Sequence, residues 1–233
     1  MSQLYVGFDR DGTLEMPGCP FPERLSRQFE ELQKMGAKLF LASGKNYELL
    51  VTIADEMNLN PWMICAENGG HICIKEEGVN CVHSEHPHLT EFKAKVHLLD
   101  LPIHHEERKH SIWSKKFGEN VLQAENLIQK MIEDHHWNLK VYSYPDGDGG
   151  LDVVPPGIDK TSLLSYIPAE AIICYIGDGE NDLSLLENRR VVACTVANAK
   201  ETVKKQVAAK GGYIASLPAG QGVCELLNTL FRV

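Results

Sequence analysis

The chain predicts an α/β fold: a doubly wound, parallel-stranded core that carries an inserted α+β module. Two observations carry this. Short, largely apolar β runs alternate with helix-period segments near both ends of the chain, as strands buried on both faces do. Between them lies a stretch whose strands alternate apolar and polar residues, the mark of an antiparallel sheet wet on one face. The predicted division is residues 1–80 and 155–233 for the core and 81–154 for the insert.

Each element has its own signal. Leu4 to Phe8 is an apolar β run that stops at Asp9. Pro22 opens a helix with Leu25, Phe29, Leu32 and Met35 on one face, and Gly36 stops it. Ala37 to Ala42 reads as a strand ending in Ser43-Gly44, followed by a helix facing inward through Tyr47, Leu50, Val51 and Ala54. Trp62 to Ala66 is the next strand, ending at Glu67-Asn68-Gly69-Gly70. In the insert a helix (Leu89, Phe92, Val96), a strand (Ser111 to Phe117) and a longer helix (Leu122, Leu127, Ile128, Met131) precede a hairpin. Its arms are Leu139 to Tyr144 and Leu151 to Val154, around Pro145-Asp146-Gly147-Asp148-Gly149-Gly150. After Pro155-Pro156-Gly157 the alternation resumes. A helix at Lys160 to Tyr166 leads to the strand Ala171 to Ile176, and a helix through Leu183 and Leu186 leads to the strand Val191 to Val196. The helix Glu201 to Val207, the strand Tyr213 to Ala215 and the helix Val223 to Phe231 complete the core.

Composition narrows the function. With 233 residues at 43% hydrophobic, the chain can bury a full core. Its net charge of −9 disfavours nucleic acid or an anionic membrane as the main partner. A small anionic substrate is still compatible, because a metal ion and a few cations can reverse the potential within one cleft. No apolar run approaches the roughly 20 residues that span a bilayer, and the N-terminus reads as a first strand, without a signal-peptide pattern. Seven cysteines, an odd number without paired spacing, suit reduced thiols and a cytoplasmic location.

The chemistry gathers where the core strands end. Asp9/Asp11, Ser43, Lys160 and Asp178/Asp182 all sit at or near carboxyl ends of predicted parallel strands, where open α/β sheets bind ligands. In an extended Asp9-Arg10-Asp11 the two carboxylates share one side while Arg10 points elsewhere. Carboxylates so close repel each other unless a cation lies between them, and Mg²⁺ is the natural ion for an all-oxygen site. Asp178 and Asp182 bring further acidity from a second strand end. Such a pocket suits a phosphate. Lys160 supplies a point charge for a phosphoryl oxygen, and Ser43 Oγ with the Gly44 N–H can donate to another.

These residues resemble the haloacid dehalogenase superfamily of phosphatases, in the subfamily (IIB) whose α+β cap is inserted between the second and third motifs. Asp9-Arg10-Asp11-Gly12-Thr13-Leu14 resembles the first motif, Ala42-Ser43-Gly44-Lys45 the second, Lys160 the third, and Gly177-Asp178-Gly179-Glu180-Asn181-Asp182 the fourth. Glu67-Asn68-Gly69-Gly70, the run Val154 to Lys160 and Ala197-Asn198-Ala199 also resemble segments of this branch. The resemblance implies a Rossmann-like core and a two-step, Mg²⁺-dependent hydrolysis of a small phosphorylated metabolite. In that reading Asp9 is the nucleophile, Asp11 the acid and base, and Ser43, Gly44 and Lys160 bind the phosphate. Asp9, the Asp11 carbonyl and Asp178 hold the metal, Asp182 binds metal-ligating water or Lys160, and Asn181 holds the loop. A cap closing over the crevice leaves little room for a polymer. Two departures stand out: Arg10 takes a place usually apolar in this branch, and Lys45 replaces a common arginine. Asp-Arg-Asp-Gly-Thr is more usual in heptose-bisphosphate and histidinol-phosphate phosphatases.

Other readings stay open beside these. The same fold serves phosphomutases, and it could persist in a non-catalytic binding protein. Ser43 also reads as a helix N-cap, Asp182 as a first-turn acid complementing the helix dipole, and Glu180 as a solvated residue. His83, His86 and His88 look like a metal tract, but Pro87 breaks their helical spacing; with His104, His105 and His110 they read as surface residues. Cys65, Cys174 and Cys194 read as small core residues. Trp113, Lys115, Lys116, Tyr144, Asp146 and Asp148 lie where a cap could face the site, and cap packing or solvation also accounts for them.

Overall fold

Strand β1 (Leu4–Phe8) lies at the middle of the principal sheet because its apolar run pairs on both edges, with β2 (Lys38–Ala42) and with β10 (Ile172–Ile176), both in parallel. The computed structural model describes residues 2–83, 86–102, 105–107, 109, 111–145 and 149–233. It resolves into two compact units, Met1–Cys81 with Asp159–Val233, and Val82–Ile158.

In the first unit β3 (Met63–Ala66) continues the parallel sheet beyond β2, while β11 (Val191–Thr195) and β12 (Tyr213–Ile214) extend it beyond β10. Two strands were not foreseen from the sequence: β4 (His71–Ile74), antiparallel to β3, and β5 (Val79–Val82) at the edge. They are four residues each, β4 following a tight Glu67–Gly69 turn and β5 another at Lys75–Glu77, so they offer too short a pattern to stand out. The full order is β12-β11-β10-β1-β2-β3-β4-β5. The chain moves outward from β1 through β2 and β3, then returns to β10 on the other side. The topological switch, where doubly wound sheets open a crevice, therefore falls between β1 and β10.

Helix α1 (Glu23–Lys34) starts after Pro22 and buries Leu25, Phe29 and Leu32, a stripe at helical spacing. Met35, expected on that face, is exposed, because the helix ends one residue before it and Gly36 turns away with positive φ. Helix α2 (Tyr47–Glu56) faces β3 through Leu50, Ile53 and Ala54. Helix α5 (Leu183–Glu187) follows a 3-10 turn, and α6 (Glu201–Ala209) packs beside it. Helix α7 (Ala219–Phe231) begins four residues earlier than the apolar pattern suggested, and α1 is tied to it by Gln28, which donates to the Cys224 and Val233 carbonyls. Residues Lys160–Tyr166 form a 3-10 helix, capped by Asp159, whose carboxylate accepts from Thr161 N at 2.7 Å.

The second unit is a four-stranded antiparallel sheet, β6 (His105–Glu107), β7 (Trp113–Lys116), β9 (Gly150–Val154) and β8 (Lys140–Tyr144), in that order. One face packs on α3 (Pro87–Lys95) and α4 (Val121–Asp134), with Phe92, Trp113, Ile128, Leu151 and Val153 in its core. Leu122, expected inside, is exposed; Val121 and Ala124 take the inward positions. The hairpin of β8 and β9 pairs Lys140 with Val154 and Tyr144 with Gly150. The unit reaches past the expected boundary at 154 because Ile158 packs with Ile112 and Val154. Its sheet holds a buried ion pair, Lys109 Nζ to Asp152 Oδ1 at 2.9 Å, which the sequence did not disclose. Among the described residues no helix is long and apolar enough to cross a membrane.

Candidate active site

The register of the central strands brings distant residues to one edge. Phe8 pairs with Ile176 and with Leu41, so the residues that follow all three strands emerge together. Asp9 N still donates to Ile176 O at 2.9 Å, and Ser43 N to Cys65 O at 3.0 Å. Asp9, Ser43 and the Gly177-Asp178 turn are thereby anchored to the sheet.

Lys160 reaches this edge from the 3-10 helix. Its side chain is fully buried, and Nζ donates to Asp9 Oδ1 at 3.0 Å, Asp182 Oδ1 at 2.6 Å and the Tyr175 hydroxyl at 3.2 Å. Burial works against its charge, yet Asp182 and Asp9 outweigh burial and hold the ammonium's pKa above its ordinary value. Asp182 is equally buried and fully satisfied. Its Oδ1 also accepts from the Tyr175 hydroxyl at 2.6 Å, and its Oδ2 accepts from the backbone of Asp178 and Gly179 at 3.0 and 2.9 Å. Four donors on two oxygens make Asp182 the anchor of Lys160 and of the loop that carries Asp178.

Asp178 is oriented from the other side by Thr13, whose hydroxyl donates to Oδ1 at 2.7 Å. Gly12 lies against the same carboxylate with positive φ; a Cβ there would collide with Asp178. Asn198 donates to the Gly12 carbonyl at 2.8 Å and accepts from Ala219 N at 2.7 Å, so the first-motif turn is tied to the start of α7.

The carboxylates of Asp9, Asp178 and Asp182 offer oxygens within 4.8 Å of one another, the one such group among the described residues. Their protonation shows the cost of this crowding. Burial first, then Asp182, pushes the Asp178 carboxyl up to about 7, against the help of Thr13 and Lys160. Asp9 is raised well above the usual range by burial, despite Lys160, and further by Asp182, Asp178 and Asp11. An all-oxygen group in which Asp9 and Asp178 are held above the usual carboxylate range fits Mg²⁺ by its chemistry.

Asp11 departs from expectation. Strand β1 ends at Phe8, and residues 10–15 fold into a tight turn in which Leu14 N donates to Arg10 O at 2.9 Å and Gly12 N to Glu15 O at 2.8 Å. The alternation of an extended strand therefore stops before Asp11. Its carboxylate is half-exposed and stands outside the three-carboxylate group. Arg10, expected to point elsewhere, pairs with both Asp11 and Glu15, and Lys45 Nζ lies 3.5 Å from Asp11 Oδ2.

Ser43 is buried, and its Oγ accepts from Lys45 N at 3.3 Å. The N-cap of α2 is Asn46, which accepts from Leu49 N at 2.9 Å, so the helix cap is not the role of Ser43. Gly44 lies beside it, half-buried. Asn181 donates to Asn68 Oδ1 at 3.0 Å, linking the fourth-motif loop to the left-handed turn after β3. Tyr175 and Thr13 were missed as functional side chains. Tyr175 had one signal, a polar-tipped aromatic two residues before the Gly177-Asp178 strand end.

Of the remaining candidates, Glu180 is exposed. His86 caps α3 through its ring and His88 accepts from Asn138 N at 3.0 Å, while His83 is exposed. His104, His110, Asp146 and Asp148 lie outside the described residues, and His105 falls in β6. Cys65, Cys174 and Cys194 are buried, the latter two with sulfurs 3.6 Å apart. Trp113 is core to the second unit, and the Tyr144 hydroxyl donates to Asp152 Oδ2 at 3.4 Å. Lys115 and Lys116, on β7, are half-buried.

A doubly wound sheet with two buried carboxylates, a third half-buried, and a lysine at its switch point suits phosphoryl chemistry. Residues 6–146 and 83–216 match the haloacid dehalogenase-like hydrolases, and the chain belongs to that family. Among curated proteins it is 27% identical to a phosphomannomutase of Solanum lycopersicum, over 87% of this chain and 92% of that one. It is 22% identical to the 5-amino-6-(5-phospho-D-ribitylamino)uracil phosphatase YbjI of Escherichia coli, over 100% and 97%. Among solved structures, a sugar phosphatase of haloacid dehalogenase subclass IIB, BT4131, superposes with a TM-score of 0.72 at 17% identity, covering 98% of this chain and 99% of that one.

Proposed function

We propose that the protein is a Mg²⁺-dependent phosphatase that hydrolyses the phosphomonoester of a small metabolite, of sugar-phosphate or phosphoglycolate type, through an aspartyl-phosphate on Asp9. The observation that carries this is Lys160, whose ammonium touches Asp9, 151 residues away in the sequence, and Asp182, 22 residues away. That geometry fixes a nucleophile and gives it a cation to share with a phosphoryl oxygen.

In this reading Asp9 attacks phosphorus as the bond to the leaving alcohol breaks, and Asp11 gives that alcohol its proton. Water then attacks phosphorus, Asp11 takes the proton from water, and the bond to Asp9 breaks to release inorganic phosphate. Ser43 Oγ, Gly44 N–H and Lys160 hold the phosphoryl oxygens, and Asn181 keeps the loop in place through Asn68. Asp9, Asp178 and the Asp11 carbonyl would hold Mg²⁺, with Asp182 beside them anchoring Lys160. The ion supplies positive charge that keeps the crowded carboxylates ionised and offsets the charge of the phosphate. The acidic surface and the seven thiols suit work in the cytoplasm.

Hydrolysis of p-nitrophenyl phosphate with and without Mg²⁺, in the natural protein and in Asp9→Asn, tests this. A loss of about 10³-fold or more is expected on chelation or substitution. Substantial turnover surviving either change defeats the mechanism. The tomato phosphomannomutase, similar along most of both chains, favours one second reading: transfer of the phosphoryl group to another hydroxyl. Inorganic phosphate released without a bisphosphate activator decides for hydrolysis; an isomerised sugar phosphate decides for the mutase.

A further inference from the structure

We propose that Arg10 and Lys45 form an anion subsite beside Asp11 that reads a second negative group, a carboxylate or another phosphate, on the phosphoester substrate. This rests on the phosphatase reading above. The two cations come from different segments, the turn after β1 and the turn after β2, and these same segments carry Asp9 and Ser43. Both are only partly withdrawn from solvent, with side chains 22% and 20% exposed, and they flank an Asp11 carboxylate that is 49% exposed. Arg10 holds Asp11 Oδ1 and Lys45 lies near Oδ2, so each oxygen of the proposed acid and base faces a cation.

The pairing leaves donors to spare. Lys45 Nζ meets Asp11 only at 3.5 Å, which leaves an ammonium with three hydrogens loosely engaged. Among the described residues Arg10 Nε is buried and meets no acceptor. Glu15 steadies the far side of the guanidinium, so its fork is preset rather than free to swing. An arriving carboxylate or phosphate competes with Asp11 for the two cations and is held by charge-assisted hydrogen bonds. Drawing them toward the ligand also frees the Asp11 oxygens for the leaving group. A substrate with a single, neutral-bodied phosphoester gains neither effect.

Two matched pairs of esters test this. 3-Phosphoglycerate and glycerol 3-phosphate differ in a carboxylate; fructose 1,6-bisphosphate and fructose 6-phosphate differ in a second phosphate. The expected result is a preference in kcat/KM of about tenfold or more for the more anionic member of at least one pair. The pair that shows it identifies the group. In the Arg10→Gln/Lys45→Gln double variant, with its melting temperature checked, that preference collapses, chiefly through a higher KM for the anionic member. Equal rates within both pairs in the natural protein overturn the proposal, as does a variant that slows both members by the same factor. If the natural protein hydrolyses none of the four, p-nitrophenyl phosphate turnover decides the phosphatase reading separately. The subsite is then read by calorimetric binding of the same compounds to the Mg²⁺-loaded protein. Tighter binding of an anionic member, lost in the variant, upholds it, and equal affinities overturn it.

Discussion

Lys160 Nζ stands 2.6 Å from Asp182 Oδ1 in a setting with no solvent exposure on either side chain, and 3.0 Å from Asp9. Removing the ammonium strands two buried carboxylates, and breaking a buried pair from one side costs about 3–5 kcal/mol. Lys160→Met is therefore expected to lower unfolding free energy by roughly that amount, measured by urea denaturation, and to abolish phosphatase activity. Lys160→Arg is not expected to restore either, because a guanidinium is larger than the buried slot and cannot meet three acceptors from one point. A Met variant within about 1 kcal/mol of the natural protein would show that the pair holds nothing together.

Tyr175→Phe isolates one strut of the same network. The ring stays, packed parallel to Phe40 with centroids 6.0 Å apart, and only the hydroxyl that donates to Asp182 at 2.6 Å is lost. A hydrogen bond to a charged group is worth about 1.5–3 kcal/mol. The variant should be less stable by about 2 kcal/mol, with kcat reduced more than KM, since Lys160 rather than the substrate loses its support. Unchanged kcat with a raised KM would place the hydroxyl in substrate binding instead.

The core was legible in the sequence wherever strands were long and apolar on both faces. Leu4 to Phe8 and Ile172 to Ile176 declared themselves, and the strand-end positions of Asp9 and Asp178 followed from them. Short strands did not: β5 has four residues and β6 three, too few to give a periodicity to read. In the site, Asp178 and Asp182 were legible as acids just past a strand end, and Lys160 as a lysine just past Pro155-Pro156-Gly157, where the structure has the start of a 3-10 helix. The orientation of Asp11 was not, because it depends on a turn closed by hydrogen bonds between Arg10, Gly12, Leu14 and Glu15 rather than on strand alternation. Tyr175 looked like any aromatic of a buried strand, and only the three-dimensional neighbourhood of Asp182 gives its hydroxyl a purpose.

Gly12→Ala probes how closely the first-motif turn fits the Asp178 carboxylate. The substitution adds one methyl, but it forces an L side chain into positive φ and into the Asp178 carboxylate. Asp178 must move, and the hydrogen bond from Thr13 goes with it. Activity at saturating substrate should fall about 10²-fold, with part of the loss recovered at high Mg²⁺. Full activity at ordinary Mg²⁺ would mean that Asp178 has room the structure does not show.

Protons and a divalent cation compete for the same crowded carboxylates. In the metal-free protein the Asp178 carboxyl is raised to about 7, by burial first and then by Asp182, and Asp9 is displaced in the same direction. An unfolded aspartate ionises near about 3.9. Between these values the folded chain keeps protons that the unfolded chain releases. The contribution to stability is therefore complete below about pH 4 and declines as pH rises towards 7. Mg²⁺ acts against that decline, because it binds the ionised carboxylates and must displace protons to do so at lower pH. The gain in melting temperature on replacing EDTA with saturating Mg²⁺ should accordingly be small at pH 5 and larger at pH 8, read by thermal unfolding at constant ionic strength. In Asp178→Asn, which removes the raised carboxyl and one ligand together, both the gain and its growth with pH should shrink. A gain as large at pH 5 as at pH 8 would place the ion elsewhere than among Asp9, Asp178 and Asp182.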